Sequence, residues 1–231
     1  DRIIHYSKDD FTISVEAGMP LIELQNMLAK HKQWLPIDWP WGTNPSAGKD
    51  NAGSIGGLVA RGLSGSLRHH YFGIRDQLIG IGMMRSDGVA AHAGGRVVKN
   101  VAGYDLMRLL CGSWGSLALI TELTLRTQPI RSAHGSCCIK GPTASLNNFR
   151  DELMRSTLRP EFCDWIRKPP NEWHLQVGLA SISDAAIQTQ MNQISSLANS
   201  NGLVTEKNTW SGPLIEKKFP ENCLTQSNWL V

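Results

Sequence analysis

Polar and apolar positions alternate early in the chain. Thr12-Ile-Ser-Val-Glu16 has the two-residue period of a strand and runs into Gly18, a turn residue. From Pro20 the period lengthens. Leu21, Leu24 and Leu28 share one helical face, Pro20 suits the first helical position, and Glu23 sits in the first turn. Lys30, His31 and Lys32 suit that helix's C-terminal end, where cations complement the backbone dipole. Trp34 to Asn51, rich in Trp, Pro and Gly, reads as irregular. Leu78–Met84 and Val89–Ala93 flank Arg85-Ser-Asp-Gly88, which predicts a hairpin. Leu106–Leu110 is a short helix capped by Asp105 and stopped at Gly112. Leu117–Thr127 alternates again, placing Leu119, Thr121, Leu123 and Leu125 on one face until Pro129 ends the strand.

After Gln128 the pattern becomes regular. It predicts strand 136–140, helix 143–156, strands 161–167 and 173–179, helix 183–200 and strand 203–207. Thr143 and Ser183 are candidate N-caps, Asn201-Gly202 a C-terminal stop, and Ile187, Met191, Ile194 and Leu197 the buried face of the second helix. The order βαββαβ is the ferredoxin-like unit. We therefore expect an α+β chain with one domain over residues 1–130 and a ferredoxin-like domain over 135–231.

Composition narrows the function. A net charge of +3 without a Lys/Arg cluster gives no support to nucleic-acid binding. No apolar run approaches the length of a membrane span. The five cysteines are odd in number and lack framework or metal spacing, which points to a reducing compartment and a cytoplasmic protein. Cys137-Cys138 read as strand residues. His69-His70, if extended, point to opposite faces, so they read as a solvated pair with no metal between them.

Sixteen of the 22 glycines lie between Gly42 and Gly115. Such density marks backbone that turns sharply or lets something approach without a Cβ in the way. Two readings fit it: tight structural turns, or exposed N–H groups that cradle a phosphate. The spacing is neither G-x-G-x-x-G opening a helix nor G-x-x-x-x-G-K-[ST], so nicotinamide and P-loop sites find no support.

Three further strings follow Gly53-Ser-Ile-Gly-Gly57 in order: Ser64-Gly65, Arg96-Val-Val-Lys-Asn-Val-Ala-Gly-Tyr-Asp-Leu106, and Gly112-Ser-Trp-Gly-Ser-Leu-Ala-Leu-Ile-Thr121. Together they resemble the FAD-binding domain of the vanillyl-alcohol oxidase / p-cresol methylhydroxylase (PCMH) family, and within it the branch formed by the smaller FAD-binding subunit of glycolate oxidase. The resemblance covers residues 1 to about 130. It implies the second lobe of a PCMH-type FAD-binding domain, with a first lobe before Asp1, followed by a ferredoxin-like cap that continues past Val231. It also implies that Ser54, Ile55, Gly56 and Gly57 pass the pyrophosphate and flavin. Ser64, Gly65 and Gly73 would continue that wall, and Ile120 would lie on the adenine side. Gly103-Tyr-Asp-Leu106 has the look of scaffold. This sequence departs from the family at Trp114, where Glu is usual, at Ser116, where Thr is usual, and at Phe72, where a second Gly is common.

The implied activity is that of a glycolate or D-2-hydroxy-acid oxidase or dehydrogenase subunit. Its partners would be a larger flavin subunit and an iron–sulfur subunit, which would also supply any membrane association. The alternative is a non-catalytic flavin-binding or assembly subunit. No catalytic base can be named. His69, His70, His92, Arg68 and Arg75 fall near the flavin region without a spacing that marks a role.

Overall fold

A computed structural model gives the structure and describes residues 2–37, 53–95, 105–168 and 170–208. The chain forms two compact units, one built on residues up to Ile130 and one from Arg131 onward, the latter also including His69–Tyr71.

The first unit is built on an antiparallel sheet. Its strands are β1 (Ile3–Ser7), β2 (Thr12–Glu16), β4 (Leu78–Met84), β5 (Ala90–Gly94) and β6 (Leu119–Arg126), in the spatial order β1-β2-β6-β4-β5. A small sheet pairs β3 (Gln33–Trp34) with β7 (Gln128–Pro129). The helices are α1 (Leu21–Ala29), α2 (Ile55–Arg61), α4 (Ile74–Gln77) and α5 (Leu106–Leu110), while most of α3 (Arg68–Tyr71) belongs to the second unit. One cluster joins sheet and helices: Ile13 and Val15 from β2, Leu24 and Leu28 from α1, Leu58 and Val59 from α2, Leu123 and Leu125 from β6. Burying each such side chain contributes about 1.5–3 kcal/mol. Beside it, the buried hydroxyls of Ser14 and Thr124 pair at 2.8 Å, so neighbouring strands satisfy each other's polar groups.

Two local expectations change. Pro20 is the N-cap of α1 and not its first helical residue. On β6 the register shifts: Gly82 pairs with Glu122 but Met83 pairs with Ile120. The bulge at Thr121 reverses the alternation, as an extra residue in one strand must. Leu123 and Leu125 face the core as expected, but beyond the bulge Ala118 and Ile120 do so, and Leu119 is 66% exposed. The freed Thr121 carbonyl accepts the Ala17 N–H at 2.9 Å.

The second unit has the predicted order: β8 (Ala133–Lys140), α6 (Thr143–Arg155), β9 (Phe162–Lys168), β10 (Glu172–Ser181), α7 (Asp184–Ser200) and β11 (Val204–Asn208). The sheet order β11-β8-β10-β9, antiparallel throughout, is the ferredoxin-like arrangement. Both helices pack on one face. Leu146, Phe149 and Leu153 of α6 and Ile187, Met191, Ile194 and Ala198 of α7 meet Cys137, Ile139, Leu175, Val177 and Leu179. Leu197 is only partly buried there, and Ala198 takes the inner position.

Ser183 Oγ accepts the Ala186 N–H, as its N-cap role requires, and Gly202 turns left-handed (φ 69°) after α7. Thr143 is not a cap. Pro142 holds that position and makes no side-chain capping bond. The adjacent cysteines lie on opposite faces of β8, both buried. Burial pushes the Cys137 thiol up to about 12, so it behaves as a small hydrophobe.

Candidate cofactor site

The glycine-rich run folds into the head of α2. Ile55 is buried in the core, so only its backbone is available to a ligand. Gly56 is a packing glycine: a Cβ there would lie 2.7 Å from both the Cβ and the carbonyl oxygen of Ala17. Gly57 differs. It is exposed, and its missing Cβ would meet only Ser54 Oγ, at 3.3 Å. Gly53 turns left-handed (φ 72°) with nothing within 4 Å of its Cβ position. The open backbone surface therefore lies at Gly53 and Gly57.

The N–H groups of the first turn already have acceptors within the protein. Ile55 donates to Met19 O at 2.9 Å and Gly56 to Ala17 O at 2.8 Å. Gly57 donates to Ser54 Oγ at 3.1 Å. Glycine density left open both a bare N–H cradle and tight structural turns. In the fold, two of these donors tie α2 to the β2–α1 turn, and only the Gly57 N–H, held by a hydroxyl that can rotate, is readily exchanged.

The second motif meets the other end of the same helix. Gly62 ends α2 in the left-handed region, where a Cβ would press on the Gly112 backbone at 3.0 Å. Gly112 N–H donates to Val59 O at 3.0 Å and Trp114 N–H to Ala60 O at 2.8 Å, so the Gly112–Trp114 turn caps the C-terminus of α2. The Arg61 guanidinium stacks 5.4 Å from the exposed Trp114 ring. Ser113 Oγ is buried without a hydrogen-bond partner among the described residues. Two strings more than fifty residues apart are thus joined by one seven-residue helix.

Ser64 and Gly73 also come together. A Cβ on Gly73 would sit 2.8 Å from Ser64 Oγ, and the Gly73 N–H donates to Asp76 Oδ2 at 3.1 Å. Ser64 and Gly65 are half-buried, and Gly73 is buried. Before Gly73, Phe72 adopts φ 66° and ψ −170° with its ring 68% exposed. That backbone region is essentially reserved for glycine and costs a larger residue about 1–3 kcal/mol. The departure from the family at this position is therefore a strained one. Phe72→Gly is expected to raise stability by about 0.5–2 kcal/mol, since glycine's greater freedom when unfolded offsets part of the relief. Denaturant midpoints of the two proteins measure it, and a lower midpoint in the variant would show that the ring contributes more than its exposure suggests.

Ile120 is half-buried and packed on the core beside the β6 bulge. The other candidates scatter. Arg68, His69 and Arg75 are exposed, and His92 lies exposed on β5. His70 is not a solvated loop residue but sits in α3, half-buried, facing Glu161. Neither Glu161 nor Tyr71, which contacts it, carries a signal in the sequence. Arg96–Tyr104 lies outside the described residues.

The groups at the α2 turn suit a diphosphate. Gly53 and Gly57 offer backbone without a Cβ, Ser54 adds a hydroxyl, and the strand-to-helix stretch Gly53–Gly57 holds no carboxylate to repel an anion.

Residues 1–94 match the family model described as FAD binding domain. The chain is 32% identical over 167 residues to the glycolate oxidase subunit GlcE of Escherichia coli, covering 72% of this chain and 42% of that protein. It is 38% identical over 122 residues to the mitochondrial cytochrome-type D-lactate dehydrogenase of Arabidopsis thaliana, covering 53% of this chain and 20% of the relative. Against the Bacillus subtilis glycolate oxidase subunit GlcD it is 31% identical over 130 residues, covering 56% and 26%. The chain thus spans less than half the length of these relatives. Among solved structures, an alkyldihydroxyacetonephosphate synthase shares the fold, with a TM-score of 0.72, 15% identity, and coverage of 91% of this chain and 42% of that one. The resemblance drawn from the motifs holds for residues 1–94, which match an FAD binding domain, and the fold is α+β.

Proposed function

We propose that this chain, whose residues 1–94 match the FAD binding domain, is the FAD-binding part of an oxidoreductase acting on a small 2-hydroxy acid such as glycolate or D-lactate. When bound, FAD supplies a hydride acceptor for the substrate α-carbon. The chain's own part is to hold the cofactor: Gly53 and Gly57 leave room for the diphosphate, Ser54 and Ser64 offer hydroxyls, and α2 is fixed at both ends so that this surface is pre-formed. The meeting of both glycine motifs on α2 carries the reading. The names of the relatives, glycolate oxidase subunits and D-lactate dehydrogenases, support the substrate class. Their designation as subunits also supports work within a complex; a larger flavin subunit and an iron–sulfur subunit are the partners we propose. Among the described residues no His/Cys/Asp/Glu group could hold a metal, and no helix is long and apolar enough to cross a membrane. Unpaired thiols at Cys137, Cys138 and Cys163 suit a reducing, cytoplasmic setting.

A second reading has its own observation. The candidate bases and cations His69, His92, Arg68 and Arg75 are exposed and form no convergent acid–base set, as a subunit that binds flavin without oxidising substrate would allow. Anaerobic titration of the purified full-length protein with glycolate and with D-lactate separates the two. Bleaching of the bound flavin without any partner establishes the catalytic reading. Tight FAD binding with no bleaching, restored by partner subunits, establishes the second. Absence of bound FAD would defeat both.

A further inference from the structure

Gly53, Gly57, Ser54 and Ser64 offer a diphosphate backbone dipoles and hydroxyls, but no positive charge. The fold sets a cation one helical turn away. On α2, Ile55, Gly56, Leu58 and Val59 are buried and Ala60 is half-buried, which leaves Gly57 and Arg61 as the exposed stripe of the helix. Positions four apart stand one above the other, about 6 Å apart along the axis. A helical side chain covers the turn before its own Cα. The turn before Arg61 carries Gly57, which has no side chain to occupy that surface.

Arg61 is held without being neutralised. Arg2, Arg85 and Arg108 pair with Glu16, Asp87 and Asp105. The Arg61 guanidinium instead lies 5.4 Å from the centroid of the Trp114 ring, within cation–π range, and makes no ion pair among the described residues. The indole is itself constrained. Trp114 takes φ 54°, a left-handed conformation that bulky residues rarely adopt, yet it is 67% exposed. Its N–H on Ala60 O fixes it at the end of α2, between Gly112 and Gly115, both also left-handed. Strain of this kind persists where the surroundings impose it, and burial of the ring is not its cause. Its visible consequence is the Arg61 contact. Both residues belong to the first unit, as do Gly53 and Gly57.

On the cofactor reading above, we propose that Arg61 is the cationic group of the diphosphate site and that Trp114 is its positioning residue. The guanidinium donates to phosphate oxygen beside the Gly57 N–H. A π face holds the arginine while leaving its charge and its N–H edge free to meet an anion. A carboxylate at position 114 would hold the same side chain by neutralising it.

FAD affinity of the full-length protein, followed by flavin fluorescence at low and at high salt, tests both roles. Arg61→Gln should weaken binding about ten- to a hundredfold at low salt, as expected for one charge-assisted contact. The loss should shrink at high salt, where screening has already weakened the wild type. Arg61 is exposed, so thermal melts of the two proteins should coincide. Trp114→Phe keeps a π face and should stay within about threefold of wild type. Trp114→Glu should lose at least as much as Arg61→Gln, because it pairs with the arginine and repels the anion. Trp114→Leu should weaken binding in the wild-type background and change nothing further in Arg61→Gln, since a ring that acts through the guanidinium then has nothing to position.

Unchanged FAD affinity in Arg61→Gln would overturn the proposal while leaving the cofactor reading intact. A loss of equal size at both salt concentrations would do the same, by showing a structural role. Full additivity of Arg61→Gln and Trp114→Leu would overturn the positioning role of Trp114. A wild-type protein that binds no FAD would instead overturn the cofactor reading, and this proposal with it.

Discussion

Gly57→Val is expected to abolish FAD binding while leaving the first unit folded, whereas Gly56→Val is expected to destabilise the unit itself. The two glycines are neighbours in one motif, yet the fold gives them opposite surroundings. Gly57 is exposed and its Cβ position meets only Ser54 Oγ, at 3.3 Å. It lies in ordinary helical backbone, where valine and glycine have similar propensities, so the helix should tolerate the change. The added methyl groups would instead fill the open side that the diphosphate is proposed to occupy and displace it from the Gly57 N–H. Losing the hydrogen bonds of the Gly57 N–H and the adjacent Ser54 hydroxyl to a charged group, at about 1.5–3 kcal/mol each, weakens affinity by about a hundred- to ten-thousand-fold.

Gly56 has no such freedom. Its Cβ position lies 2.7 Å from backbone and side-chain atoms of Ala17, and its N–H is committed to the Ala17 carbonyl. A valine there must push α2 off the β2–α1 turn, at a cost of about 1–3 kcal/mol or more. Flavin absorbance after gel filtration and a thermal melt by circular dichroism separate the effects. Full flavin content in Gly57→Val would show that the glycine run serves only to turn the chain.

Phe149→Ala should cost the second unit about 3–5 kcal/mol. Phe149 is fully buried at the centre of α6, packed among the side chains that α6, α7 and the sheet contribute to one core. Removing the ring leaves a cavity that two helices and a four-stranded sheet can close only in part. For a unit of this size the melting temperature should fall by more than about 10 °C. Leu109→Ala, at a site 60% exposed, is the matched control and should change stability by less than about 0.5 kcal/mol. A loss below about 1 kcal/mol in Phe149→Ala would mean that the core reorganises around the vacancy.

The second unit was almost wholly legible in the sequence. Its strands and helices are long enough for periodicity to register, and the order βαββαβ leaves one common way to bury both helices on one sheet face. Ser183 capped as its type predicts. Thr143 did not, because Pro142 already holds the boundary position and the backbone turns one residue earlier.

In the first unit the sequence marked the elements but not their roles. The string around Thr121 alternates cleanly, yet a bulge against β4 exchanges Leu119 for Ile120, since register depends on a partner strand far away in the chain. The glycine run was open to both a phosphate cradle and structural turns, because a glycine's letter is the same whether the missing Cβ makes room for Ala17, for Gly112 or for a ligand. Only the packing distinguishes Gly56 and Gly62 from Gly53 and Gly57. Glu161 lay beyond sequence reasoning altogether, because nothing local distinguishes it from a solvated glutamate. The sequence by itself determined the fold class and the likeness to an FAD-binding domain, since these rest on local periodicity and on the order of motifs. The tertiary structure alone decided which glycines stay open, which face of β6 is buried and which carboxyl loses its water, since each depends on atoms that chain folding brings from far away.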